Sequence, residues 1–180
     1  LRTSDASIYA VGDAIEVEDF IFHDRTMVPL AGPANKQGRI AADNIAGGQE
    51  TYQGTQGTSV AKVFDLAAAS TGANEKALQK RGLVKSKDYE SIIITQNSHA
   101  GYYPGAVPLT LKLLFSMDGN KIFGAQIVGS DGVDKRIDTL AVSIRWGACV
   151  RAVKHLVLTD APPFSSAQDQ VNTTATGAQC

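Results

Sequence analysis

The 180 residues carry 17 basic and 18 acidic side chains for a net charge of −1, with 43% hydrophobic and 19% charged residues. That composition suits a globular chain able to bury about 70% of its unfolded surface, and it leaves no broad electrostatic footprint for nucleic acid or an anionic membrane. No window nears the ~20 apolar residues of a membrane span, and Leu1 opens without a signal-peptide pattern, so the expected compartment is the cytoplasm. Cys149 and Cys180 form no CxxC pair and read as free thiols.

Residues 8 to 13, Ile-Tyr-Ala-Val-Gly-Asp, have the apolar run and Gly-Asp ending of a buried strand that reaches a ligand-bearing loop. Such a strand needs parallel neighbours that nothing upstream supplies, which predicts a fragment. Pro33 suits a first helical turn, Ile40, Ala41 and Ile45 share a face, and Gly47-Gly48 is a stop, so a helix is predicted over 33–46. Tyr52 to Thr58, rich in Gly, Gln and Thr, reads as a linker. Val60 to Ala69 reads as one strand, Asn74 as the N-cap of a helix through Arg81 closed by Gly82, and Glu90 to Thr95 as a β-branched strand. Leu109, Leu111, Leu113, Phe115 and Met117 alternate with polar residues, Asp118-Gly119 supplies a turn, and Lys121 to Gly129 returns as a hairpin strand. Val133, Ile137, Leu140, Ala141 and Ile144 recur at helical spacing over 133–146, and a shorter helix is expected over 151–157. Beyond Pro162-Pro163 helix is unfavourable, and the tail from Gln168 is expected to be loose. The order of elements gives an α+β unit with helices packed on a largely antiparallel sheet.

The chemistry-bearing candidates are few. A carboxylate directly after a strand-end Gly, as at Asp13, accepts hydrogen bonds from ligand hydroxyls or simply caps a solvated turn. The helix beginning at Pro33 offers free N–H groups near 33–36, with Lys36 adding a full charge. His99-Ala-Gly-Tyr-Tyr-Pro-Gly-Ala-Val-Pro108 is a Gly/Pro loop with one imidazole and two phenols, which fits either proton transfer or a packing contact. His23 and His155 stand alone, and no grouping has metal-ligand spacing, so no metal is expected. Cys149 reads as a small packed residue and Cys180 as incidental. There is no GxGxxG and no P-loop in these residues.

Thr3 to Ala14, Val28-Pro-Leu-Ala-Gly-Pro-Ala-Asn-Lys-Gln-Gly-Arg39, Gly54 to Phe64, His99 to Ala106, Gly129 to Ile137 and Ala161-Pro-Pro-Phe-Ser-Ser-Ala167 occur in order over nearly the whole chain. Together they resemble the C-terminal part of FAD-dependent pyridine nucleotide-disulfide oxidoreductases, particularly the coenzyme A-disulfide reductase, NADH oxidase and sulfur reductase branch. The resemblance implies the last strand and helix of an FAD domain over 1–50, a linker over 51–58, a C-terminal dimerisation domain over 59–167 and a flexible tail over 168–180. It implies a homodimer that passes electrons from NADH or NADPH through FAD to a disulfide, polysulfide or oxygen. By match to the family's second flavin motif, Gly12 and Asp13 would meet the ribityl or phosphate region, and Ala34, Asn35, Lys36 and Gln37 would bring helix N-terminal amides to the flavin's pyrimidine edge. Tyr102 and Tyr103 would reach the partner's active site, Tyr103 preferred because Pro104 restrains its backbone. Many relatives have a tyrosine before Ala-Pro-Pro-Phe-Ser where this chain has Asp160, and a carboxylate there opposes thiolate formation, which speaks against coenzyme A-disulfide as acceptor. The branch's redox cysteine is matched by neither Cys149 nor Cys180, so these 180 residues alone are expected to be inactive. The alternative is a stand-alone dimerisation or binding module with no redox role.

Overall fold

The computed structural model describes residues 1–178, and the chain divides after Gly57 into two units. In the first, a single 3-10 turn spans Gly12–Ala14, and β1 (Val17–Glu18) pairs antiparallel with β2 (Arg25–Thr26) before α1 (Ala31–Ile45). The strand expected over 8–13 is not formed. Tyr9 makes one isolated antiparallel bridge to Arg2, and Ile8 and Val11 are exposed, because no described strand lies alongside to satisfy an extended backbone. Helix α1 starts two residues earlier than Pro33 suggests. Leu30 is the extended N-cap, which leaves Pro33 in the first turn, where its missing N–H costs nothing. Val17, Ile21, Ile40 and Ala41 are the unit's buried apolar residues.

The second unit is built on one five-stranded antiparallel sheet. Its strands are β3 (Ser59–Val63), β4 (Leu66–Gly72), β5 (Tyr89–Asn97), β6 (Pro108–Ser116) and β7 (Ile122–Gly129), in the order β3-β4-β7-β6-β5. The single strand expected over 60–69 is instead a hairpin: Val63 pairs with Leu66, and Phe64, 94% exposed, turns the chain at φ +50°. An apolar run concealed a two-residue turn that lacks the usual glycine or asparagine. Helix α2 (Glu75–Lys80) begins as predicted, with Asn74 Oδ1 accepting from the Ala77 N–H at 2.9 Å.

Alternation along β6 decides the layers. Leu109, Leu111, Leu113 and Phe115 are buried on one face, each worth about 1.5–3 kcal/mol relative to exposure. On that side α3 (Val133–Arg145) contacts β4 and β7, and α5 (Gln170–Gly177) contacts β5 and β6. Val133, Ile137, Leu140 and Ile144 supply the buried stripe of α3. Thr110 and Lys112 point to the other face, where Lys112 bonds Glu75 of α2.

The loose tail is corrected. Residues 170–177 form α5, capped by Asp169 Oδ1 on the Val171 N–H at 2.9 Å, with Val171 and Ala175 buried. Two of its polar side chains bond other elements. Gln170 Nε2 donates to the carbonyls of Ile94 and Leu109, both at 2.8 Å. Asn172 Nδ2 donates to the carbonyls of Val153, Lys154 and Leu156 at 3.0 to 3.3 Å. These include carbonyls left over at the end of α4 (Val150–Lys154), which stops three residues short of the expected 157. Tertiary hydrogen bonds here do what helix propensity does not.

Candidate functional sites

In the first unit the Gly-Asp turn is fastened to α1. Gly12 adopts φ +70°, and its N–H donates to Gln37 Oε1 at 2.7 Å. Gln37 is buried, and its side-chain carbonyl serves the turn. Ala34 lies beneath Gly12, where an added Cβ would sit 3.6 Å from the Ala34 Cβ in a conformation that side chains resist. The Asp13 carboxylate that follows is exposed.

The helix-end amides lie elsewhere than the sequence suggests. No side chain caps Leu30, the Ala34 N–H already donates to the Leu30 carbonyl at 3.2 Å, and Pro33 has no N–H. The unspent donors of the first turn are therefore Ala31 and Gly32, whereas the N–H groups of Asn35, Lys36 and Gln37 belong to the helix interior. Asn35 Oδ1 accepts from Arg39 Nε at 3.2 Å, and Lys36 is exposed. A separate cleft of about 600 Å³ is lined by Arg2, Glu18, His23, Arg25 and Tyr52 among others, and by none of the expected cofactor-binding residues. Its wall holds His23, whose Nδ1 is 2.6 Å from Glu18 Oε1 across the β1–β2 hairpin.

In the second unit the loop between β5 and β6 presents both tyrosines, Tyr102 at 83% exposure and Tyr103 at 43%. His99 is buried beneath them, its ring edge-on to Tyr103 with centroids 5.9 Å apart. The Ala100 N–H donates to the Pro162 carbonyl at 3.2 Å, which ties this loop to the Ala161-Pro-Pro-Phe-Ser segment beside the exposed Asp160.

Under the loop runs a polar network that sequence reasoning missed. Arg136, 2% exposed, faces Asp169 in a two-point pair, with Nη2–Oδ2 at 2.8 Å and Nε–Oδ1 at 3.1 Å. Its remaining donors reach the Ser98 carbonyl at 2.8 Å and the Gly132 carbonyl at 3.0 Å. Ser165 Oγ donates to Asp169 Oδ2 at 2.8 Å. Burial pushes the Asp169 carboxyl up, but the Val171 N–H, the Arg136 charge and the Ser165 hydroxyl outweigh it and hold the group below its ordinary range. Asp169 stands 33 residues from Arg136, and the only local signal was an N-cap residue type before Gln170-Val171.

Cys149 is half-buried, and its Sγ accepts the Ala152 N–H at 3.4 Å as the N-cap of α4. Cys180 lies outside the described residues. Among the described residues no three His, Cys, Asp or Glu side chains could hold a metal ion, and no helix is long and apolar enough to cross a membrane.

Comparison with known proteins draws these features together. The reduced CoADR-RHD protein of Bacillus anthracis is 52% identical over 97% of this chain and 31% of its own, with a TM-score of 0.91. The NAD-dependent persulfide reductase of A. fulgidus is 41% identical over 98% of this chain and 32% of its own, with a TM-score of 0.92. The coenzyme A disulfide reductase of Staphylococcus epidermidis is 34% identical over 95% of this chain. The chain spans 38% of the length of that curated relative. Residues 58–171 match the dimerisation domain of the pyridine nucleotide-disulphide oxidoreductases, and the chain belongs to that family.

Proposed function

We propose that the chain is the dimerisation segment, with the end of the flavin domain, of a cytoplasmic homodimeric flavoprotein that carries electrons from NADH or NADPH to sulfur. The observation that carries this reading is the 52% identity at a TM-score of 0.91 over almost the whole chain to the CoADR-RHD protein. The residues of the first unit fit FAD. An exposed carboxylate follows a turn without a Cβ, and an uncapped helix end has open space at Gly32. Asp13 would accept from flavin ribityl hydroxyls, and the Ala31 and Gly32 amides would donate to an electron-rich ring carbonyl. Bound FAD supplies acceptance of hydride from the nicotinamide and delivery of electrons to sulfur. Tyr103, and less so Tyr102, would donate a phenolic hydrogen bond to a sulfur atom of the acceptor in the partner's site. The acceptor is a polysulfide or persulfide, since the persulfide reductase of A. fulgidus is 41% identical over almost the whole chain.

The test is anaerobic stopped-flow. The flavin of the full-length protein is reduced with NADH or NADPH and then mixed with polysulfide, coenzyme A disulfide or oxygen. Reoxidation fastest with polysulfide, and slowed by Tyr103→Phe without change in the reductive half-reaction, is expected. A flavin that no pyridine nucleotide reduces would refute the reading, leaving a dimerisation module with no redox role.

A further inference from the structure

We infer that His99 is a positioning residue, a buried pin that sets the tyrosine loop through one neutral tautomer. Its Nε2 lies 3.3 Å from the Pro104 carbonyl, which can only accept, so the hydrogen sits on Nε2. In the ring with hydrogen on Nε2 alone, Nδ1 is bare and accepts from Ser98 Oγ at 3.1 Å. That hydroxyl in turn accepts the Val107 N–H at 3.4 Å, while the Ser98 N–H donates to the Val107 carbonyl at 2.8 Å. The imidazole therefore closes residues 99 to 104 in a ring, and Ser98 closes the neck of the same loop at 107.

The pin has a fixed base. Ser98 is 1% exposed, and its carbonyl is held by Arg136 Nη2 of the buried pair with Asp169. The pin also has a competitor. Asp131 Oδ2 is 3.8 Å from Nδ1, and moving the hydrogen from Nε2 to Nδ1 would turn it toward that carboxylate, reverse the Ser98 hydroxyl and release Pro104. A ring used only for packing would be indifferent to which nitrogen carries hydrogen. Here every polar atom of the imidazole is assigned, and Pro104 directly follows the tyrosine whose ring rests on the imidazole. Only the catalytic consequence of the pin rests on the role proposed for Tyr103.

Two readouts on the full chain test the pin without flavin or turnover, so it stands or fails separately from the proposed function. Nitrogen-15 NMR of the unmutated chain at neutral pH is expected to show His99 as the Nε2–H tautomer, and an Nδ1–H tautomer would overturn the inference. In limited chymotrypsin digestion, cleavage after Tyr102 reports loop opening, because the Tyr103–Pro104 bond resists the protease. His99→Phe keeps the ring but loses both nitrogens and is expected to speed that cleavage about tenfold, whereas His99→Gln, whose amide reaches the Nε2 position, stays within about twofold of the unmutated chain. Equal rates for the Phe and Gln variants would overturn the inference. Should His99→Phe fail to fold, the tautomer measurement needs no variant and decides the matter.

Discussion

Asp169→Asn strips one charge from a pair that has almost no solvent to fall back on. The pair is 6% and 2% exposed, and the carboxylate also serves Ser165 and the first turn of α5. Asparagine keeps the shape and one acceptor oxygen, so the Val171 cap can survive. The guanidinium loses its counter-charge while buried, which costs about 3–5 kcal/mol where one partner of such a pair is removed. The Ser98 and Gly132 carbonyls still accept from Arg136, so the lower end, about 3 kcal/mol, is expected. The assay is amide hydrogen exchange at Leu111 and Leu113 of β6, the centre of the second unit's core, whose amides exchange only when that unit opens. At 1.4 kcal/mol per factor of ten, exchange should accelerate about a hundredfold. Acceleration of less than about fivefold would mean that the pair behaves like a surface ion pair despite its burial.

The same carboxyl sets an acid limit. Its folded pKa lies below its unfolded value, so its stabilisation is full above the unfolded value of about 3.9 and is lost as pH falls through the folded one. Glu75, held down first by its hydrogen bond from Lys112, acts in the same direction. Urea midpoints of the unmutated chain should therefore fall as pH drops below about 4, and those of Asp169→Asn should fall less; parallel profiles would contradict this. Asn172→Ala frees the carbonyls at the end of α4 and should cost about 1–3 kcal/mol in urea unfolding, whereas an unchanged midpoint would show that water replaces the amide without penalty. Gly124→Ala drives a Cβ into the Ala73 carbonyl between β7 and β4 and should cost about 1–3 kcal/mol, as overpacking does; a variant as stable as the unmutated chain would show that the strands can part there.

What the sequence could and could not disclose follows from where each signal lives. The period-two leucines of β6, the Asn74 cap and the stripe of α3 are local, and the structure has them within a residue or two of the expected bounds. The β3–β4 turn was hidden because Phe64 adopts a positive φ that the sequence does not advertise. Helix α5 was hidden because its threonines, asparagine and glycine favour loop, and its stability comes from bonds to Ile94, Leu109 and α4. In the candidate sites, the loop that carries both tyrosines was legible from its Gly and Pro. The Arg136–Asp169 pair and the two-nitrogen bonding of His99 were not, since each depends on partners brought together by the fold. The residues expected to offer helix-end amides shifted to Ala31 and Gly32 because Leu30, without a capping side chain, still starts the helix.

The family assignment makes subunit pairing the central claim for this segment. Light scattering coupled to size-exclusion chromatography of the full-length protein, at micromolar concentration and neutral pH, addresses it directly. A mass twice that of the protomer is expected across the elution peak, and a folded monomer at every concentration would contradict it.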